Sequence, residues 1–376
     1  MSKVWVILIL IIPFSVFAQS VPIPAPPQLG SESYMLIDFL TGQVIAESSP
    51  DEILEPASLT KLMTAYAAFK ALEQGQISLD DQVYVSEKAW RTDGSRMFIE
   101  VGTYVSVEDL FRGMIIQSGN DASVALSEHV AGSEEAFAGL MNQHAQLLGM
   151  SSSSFRNSTG LPSVDHYTTA RDTAVLTRAI ISEFPSYYSW YSERDFTYND
   201  ITQQNRNSLL WRDSSVDGLK TGYTDAAGYC LVTSAQRSGM RLITVVMGAD
   251  SPEARATDSQ ALLNYGFRFY ETHKLYSKGE EVTTSRVWKG DPESVSMGVT
   301  EDFYLTMPRG SYDSLSALID VQSDLMAPLQ MNSPVGYVRV SLDEEQISEL
   351  PLVALHDVPN AGLWVQLKDQ IMLWAR

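Results

Sequence analysis

The sequence predicts an α+β domain, an antiparallel sheet packed by helices, followed by a smaller all-β domain and a C-terminal amphipathic helix. Three observations carry this. Strand-like runs lie at the start and after the middle of residues 33–276, with helical periods between them. After about His273 the helical periods give way to short β-type runs. Residues 360–376 place their large apolar side chains on one helical face.

In chain order, Lys3 precedes an apolar run from Val4 to Phe14 and then Val16-Phe17-Ala18, small residues where a signal peptidase reads. A signal peptide over 1–18 is expected, with the mature chain starting at Gln19. The run is shorter than the ~20 residues of a spanning helix. Residues 19–32 hold too many prolines for helix or central sheet and read as a stiff extended leader.

The first domain is expected over 33–276. Met35-Leu36-Ile37 and Val44-Ile45-Ala46 flank a Thr41-Gly42 turn and predict a hairpin. Pro56 opens a helix whose stretch Leu59 to Gln74 is apolar nearly all round, the pattern of a helix running through a core. Ser106, with Asp109 three residues on, starts another helix to about Ile116, and a loop at Ser118-Gly119 leads to a helix ending near Ala131-Gly132. Leu219–Gly222, Gly228–Gln236 and Met240–Met247 read as strands, followed by a helix from Ala254 to Tyr265.

The all-β domain is expected over 277–359, on runs such as Phe303–Met307 and Val338–Leu342. From Asn360 to Arg376, Leu363, Trp364, Leu367, Ile371 and Trp374 form one stripe, with Gln366, Asp369 and Gln370 outside it. This predicts a helix lying in a membrane surface, with a helix folded back on the β domain as the alternative. Lys368 and Asp369 in its middle exclude a spanning helix.

At 376 residues the chain accommodates two domains, and 44% hydrophobic with 19% charged residues is ordinary globular composition. A net charge of −20 repels phosphate backbones, so nucleic acid is excluded as a partner. The single cysteine, Cys230, rules out an intramolecular disulfide and lies in an apolar run that suits a buried small hydrophobe. The histidines at 129, 144, 166, 273 and 356 lack metal-ligand spacing and any neighbouring Ser or Cys motif. No metal, cofactor or histidine catalysis is expected.

Three short motifs carry chemistry. Ser58-Leu59-Thr60-Lys61 places a hydroxyl and an amine on one helix face, and a neutral lysine can take the proton of a serine without histidine. A helix N-terminus adds partial positive charge where negative charge develops. As a bare pattern, Ser-x-x-Lys arises by chance on the order of once in a chain this long. Ser118-Gly119-Asn120 can point a hydroxyl and an amide in one direction, or can simply cap a helix. Lys220-Thr221-Gly222 offers a carboxylate site on a strand where glycine leaves room for a substrate, or a solvated edge strand with a protective lysine.

Together and in this order, the motifs are the set of penicillin-binding proteins and class A β-lactamases. The chain resembles the low-molecular-mass penicillin-binding proteins of the 5 and 6 type, which are D-alanyl-D-alanine carboxypeptidases. Beyond the motifs, the resemblance extends to Pro56-Ala57 before Ser58, Gln117 and Asp121-Ala122 around the second motif, Asn205-Arg206-Asn207, Val216-Asp217-Gly218-Leu219 before Lys220, and Leu262 to Phe269. It implies a β-lactamase/transpeptidase-like catalytic domain, a β-rich second domain and the C-terminal helix. It further implies a periplasmic enzyme on the inner membrane that removes the last D-alanine from peptidoglycan stems ending in D-Ala-D-Ala and is acylated by β-lactams. By the same resemblance Ser58 is the nucleophile, Lys61 its base, Ser118 the proton relay, and Asn120 the holder of Lys61 and of the substrate amide. Lys220 and Thr221, with Gly222 beside them, take the terminal carboxylate, Arg255 reinforces the charge, and the N–H groups of Ser58 and Tyr223 form the oxyanion hole. Two departures stand out: Trp90–Met97 is shorter than the corresponding loop of penicillin-binding protein 5, and Tyr223 replaces a histidine.

Two rival readings remain. A class A β-lactamase needs a Glu-x-x-Leu-Asn loop between the second and third motifs, and no glutamate between Asp121 and Lys220 begins one. A non-catalytic cell-wall binding protein is opposed by the intact motif residues.

Overall fold

The computed structural model describes residues 23–375, so the expected signal peptide and its cleavage after Ala18 lie outside the described residues. Strands β1 (Ser33–Asp38) and β2 (Val44–Ser48) form the first hairpin. Helices α1 (Thr60–Glu73), α2 (Val107–Ile116), α3 (Asn120–Ala131), α4 (Glu134–Leu147) and α5 (Ala170–Glu183) follow. Strands β3 (Val216–Thr224), β4 (Gly228–Arg237) and β5 (Met240–Ala249) then lead into α6 (Pro252–Phe269). The five strands make one antiparallel sheet in the order β2-β1-β5-β4-β3, which leaves β3 at an edge.

Alternation along the strands divides the interior in two, because successive side chains point to opposite faces. Met35, Ile37, Ile243 and Val245 face the core shared with α1 to α5, while Leu36, Leu242 and Val246 face the core under α6. Cys230, on β4, is fully buried in the first of these. Helix α1 runs through that core, and Leu62, Met63 and Phe69 are fully buried, each removal from water contributing roughly 2 kcal/mol. Phe69 stacks on Phe111 of α2 at 4.8 Å between ring centroids, fixing the two helices side by side. Helix α2 starts where its capping residues place it: Ser106 Oγ accepts from the Asp109 N–H at 3.1 Å and donates to the Asp109 carboxylate at 2.7 Å.

Residues 23–32 of the proline-rich leader form neither helix nor strand and lean on this domain. Ile23 and Leu29 pack against the second core, and Tyr265 of α6 donates its hydroxyl to the Pro24 carbonyl at 2.9 Å.

Helix α6 runs straight into β6 (Tyr270–Tyr276), which pairs with β9 (Phe303–Pro308), so β structure begins ahead of residue 277. Around it lie β7 (Thr283–Trp288), β8 (Ser294–Gly298), β10 (Leu315–Val321), β11 (Leu325–Met326), β12 (Pro334–Leu342) and β13 (Glu345–Ala354). These six form a sheet in the order β10-β12-β13-β8-β7-β11 over a core of Val287, Val295, Val338 and Leu352. The two domains meet through hydroxyls: Thr272 donates to Asp38 at 2.7 Å, and Thr41 and Thr306 are 2.8 Å apart.

Helix α7 (Leu363–Trp374) closes the described chain and turns its polar side inward. Asp369 is fully buried, accepting from Arg286 at 2.8 Å and from the Lys289 backbone N–H at 2.7 Å. The helix therefore docks on the β domain, but the stripe of Leu363, Trp364, Leu367, Ile371 and Trp374 faces outward, each more than half exposed. Among the described residues no helix is long and apolar enough to cross a membrane.

Candidate active site

Ser58 sits in a 3₁₀ turn, Ala57–Leu59, that feeds directly into α1. One turn on, Lys61 is buried with its Nζ 3.3 Å from Ser58 Oγ. Two further acceptors hold that amine: Asn120 Oδ1 at 2.6 Å and the Thr159 carbonyl at 2.5 Å. Asn120 is the first residue of α3 and is itself clamped, donating its Nδ2 to the Asp93 carbonyl at 2.6 Å. Ser118 adopts φ +68° just before that helix, a conformation that costs a non-glycine residue strain and aims side chains unusually. Its buried hydroxyl has no hydrogen-bond partner among the described residues.

The third motif lies on edge strand β3, whose close approach to the Ser58 turn depends on glycine. A Cβ on Gly222 would meet the Pro56 carbonyl at 3.2 Å and the Ser58 nitrogen at 3.3 Å. Space for the Ser58 turn is thus a second reason for this glycine, beside the space for a substrate that the motif suggests. Lys220 is buried, donating to the Thr221 carbonyl at 3.1 Å. Arg255, on the first turn of α6, crosses to the Gly222 carbonyl at 2.9 Å. Tyr223 stacks on Tyr229 with ring centroids 4.3 Å apart, forming an aromatic rim.

Ser58, Ser118, Asn120, Thr221, Gly222, Tyr223 and Arg255 all line one cavity of about 540 Å³. Lys61 and Lys220 stand buried behind its wall. Arg206 and Gly160 also line it, as do Gly94 and Ser95 of the short loop after Trp90. Sequence reasoning did not place Arg206 in the site, although Asn205-Arg206-Asn207 was visible as a family segment. Its flanking asparagines explain its position: Asn207 donates to the Gly218 carbonyl at 3.0 Å, pinning this segment to β3.

The electrostatics follow from crowding cations in a dry place. Burial, reinforced by the Arg206 charge, pulls Lys61 down to about 7. Burial also holds Lys220 well below the usual lysine range, and Lys61, Arg206 and Arg255 push it further down. Asp121 and Glu134 oppose the effect on Lys61. A lysine that is neutral for much of the time near neutral pH can accept a proton from serine. Among the described residues no carboxylate side chain lines the cavity.

The profile of the D-alanyl-D-alanine carboxypeptidase family matches residues 20–251, more than half of the chain. This chain belongs to that family. The profile of the penicillin-binding protein 5 C-terminal domain matches residues 270–360, the β-rich region. Among relatives of this D-alanyl-D-alanine carboxypeptidase family, DacA of Escherichia coli K12 is 44% identical over 359 residues, covering 93% of this chain and 89% of its own. Penicillin-binding protein 5 of Haemophilus influenzae superposes with a TM-score of 0.86 at 41% identity, over 90% of this chain and all of that one. Penicillin-binding protein D2 of Listeria monocytogenes, solved in an ampicillin-bound form, matches with a TM-score of 0.59 at 31% identity, over 64% of this chain and 98% of its own. The chain is accordingly an enzyme of the penicillin-binding carboxypeptidase type.

Proposed function

We propose that the cavity cleaves the last peptide bond of peptidoglycan stems ending in D-Ala-D-Ala, through an acyl-enzyme on Ser58. The observation that carries this reading is the 3.3 Å contact of Ser58 Oγ with a buried, proton-poor Lys61 at the edge of a cation-lined cavity. Ser58 Oγ attacks the penultimate carbonyl and passes its proton to neutral Lys61. The N–H groups of Ser58 and Tyr223 receive the oxyanion, a stabilisation of ~3–4 kcal/mol where such donors are typical. Lys61 returns that proton through the Ser118 hydroxyl, which is otherwise unpartnered among the described residues, to the departing amine of D-alanine, so Lys61 and Ser118 end as they began, while Asn120 holds Lys61 and the substrate amide. Water then takes the acyl group from Ser58, restoring the hydroxyl. A β-lactam opens on Ser58 by the same attack, leaving a covalent adduct on that hydroxyl.

Arg255 and Arg206 put positive charge beside the Thr221 hydroxyl on the cavity wall, with Lys220 buried behind it, where a terminal carboxylate would lie. Muropeptides carrying the pentapeptide should release D-alanine. The same peptide amidated at its last residue should react about ten- to a hundredfold more slowly, the value of a charge-assisted hydrogen bond. Equal rates for acid and amide would remove carboxylate capture from the mechanism. Absence of D-alanine release would remove the activity itself.

The chain is further proposed to act on the periplasmic face of the bacterial inner membrane, reached by the signal peptide and held by α7. Support comes from Lys3 and the apolar run behind it, and from an outward apolar stripe with tryptophans at 364 and 374. Lys368, the basic residue of α7 itself, lies 3.6 Å from Glu293, so anchoring is hydrophobic rather than electrostatic. Salt washing should release little protein. Deleting residues 360–376 should free it while acylation by a small soluble penicillin continues. A truncated, signal-cleaved protein that stays with the membrane would place the anchor elsewhere.

A further inference from the structure

One acceptor of Lys61 is a backbone carbonyl, that of Thr159, and Asn157–Leu161, which carries it, forms neither helix nor strand. Something must therefore hold that carbonyl in place. Asn157 shapes the turn locally, accepting from the N–H groups of Thr159 at 3.1 Å and Gly160 at 2.7 Å. Glu134 takes the backbone N–H of Ser158 at 3.0 Å and its hydroxyl at 2.8 Å. Gly160 lies so close to the Ser58 turn, at φ +85°, that a Cβ there would collide with the Ala57 carbonyl.

Thr64 of α1 donates its hydroxyl to the Ser158 carbonyl at 2.7 Å, and a further tie runs through His166, which is 4% exposed and uses both ring nitrogens. Its Nδ1 accepts from the Arg156 backbone N–H at 3.1 Å, so in the neutral ring Nε2 carries the hydrogen. Nε2–H then donates to Thr60 Oγ1, 2.8 Å away, on the first residue of α1, next to Lys61. The ring thus joins the entry of the Thr159 loop to the helix that bears Ser58 and Lys61.

We propose that His166 is a positioning residue for acylation, bracing the Thr159 loop against Thr60 so that the Thr159 carbonyl stays on Lys61 Nζ. This rests on the reading of Lys61 as the base. Charged groups facing Lys61 are Arg206, Asp121, Glu134 and Lys220, and those facing His166 are Arg156 and Lys61. Burial first, then the Arg156 and Lys61 charges, push His166 down to about 4, so it stays a neutral brace across the working range.

The test is single-turnover acylation of the full mature chain by a reporter penicillin, followed from about pH 5 to about pH 9, the range in which a lysine shifted to near neutrality titrates. His166→Leu and Thr60→Val each remove the brace. Both should acylate about tenfold more slowly. Both should also move the acid limb of the profile to lower pH by roughly one unit, because a withdrawn carbonyl no longer stabilises the Lys61 ammonium. His166→Gln, able to accept and donate, should return the limb toward its wild-type position. A purely structural role lowers the melting temperature and leaves the limb where it was. An acid limb that stays put, or rises, in Thr60→Val and in any folded His166→Leu overturns the proposal. Should His166→Leu fail to fold, Thr60→Val, which keeps the side-chain volume, decides alone. If Lys61→Arg acylates normally, the base assignment fails first; if it does not and both brace variants behave as wild type, only the bracing role is lost.

Discussion

Lys61→Arg is expected to cut acylation by about three orders of magnitude, within the usual range for a lost general base, while the melting curve still shows a cooperative fold. Arginine keeps the positive charge that Asn120 and the Thr159 carbonyl accept from. It does not release its proton near neutral pH, and so cannot receive the one on Ser58. The wild-type enzyme supplies an internal control, because Lys61 sits at about 7 and must be neutral to act. Below that value the amine is an ammonium ion, and the acylation rate should fall about tenfold per pH unit; above it the rate should level off. Stopped-flow acylation across this range reads both effects. Near-wild-type acylation in the arginine variant would assign the base to another group, with buried Lys220 the first candidate.

Ser58→Ala should lose the covalent adduct entirely. Intact-mass measurement after penicillin treatment should show one adduct in the wild type and none in the variant. The control that gives this result meaning is Ser118→Ala. Ser118 offers another serine hydroxyl in the cavity wall, one without a partner among the described residues, and it is the residue a mistaken assignment would choose. Because it lacks a lysine one turn away on its own helix, it is expected to relay protons rather than attack. Ser118→Ala should form the adduct slowly but form it, whereas an adduct surviving in Ser58→Ala would move the nucleophile.

Local geometry explains which parts of the site could be read from sequence. Ser58 and Lys61 are three residues apart on one helix face, Ser118 and Asn120 straddle a helix start, and Lys220 to Gly222 lie along one strand, so each motif is complete within a few residues. Arg206 and His166 have no such pattern. The chain brings Arg206 into the cavity only because Asn207 is tied to Gly218, and His166 finds Thr60 across 106 positions of sequence. Searching histidines for metal spacing or a neighbouring nucleophile passes over one that works by bracing. The core helix α1 and the cap at Ser106 were legible for the same local reasons. The last helix shows the opposite limit. Its apolar stripe could be read from the wheel, but the burial of Asp369 depends on Arg286 and Lys289 in a distant strand and turn.

Cys230 carries a practical consequence. Its Sγ is fully buried against the Ala227 carbonyl at 3.5 Å, and burial pushes the thiol up to about 11, so the reactive thiolate is scarce at neutral pH. No other cysteine exists in the chain. A cysteine introduced at an exposed site, such as Trp374 on α7 or Leu147 at the end of α4, would therefore be the one thiol that maleimide dyes or spin labels reach. The native protein is thus a ready background for paired optical or magnetic distance measurements between its two domains, with no residue of the core replaced first.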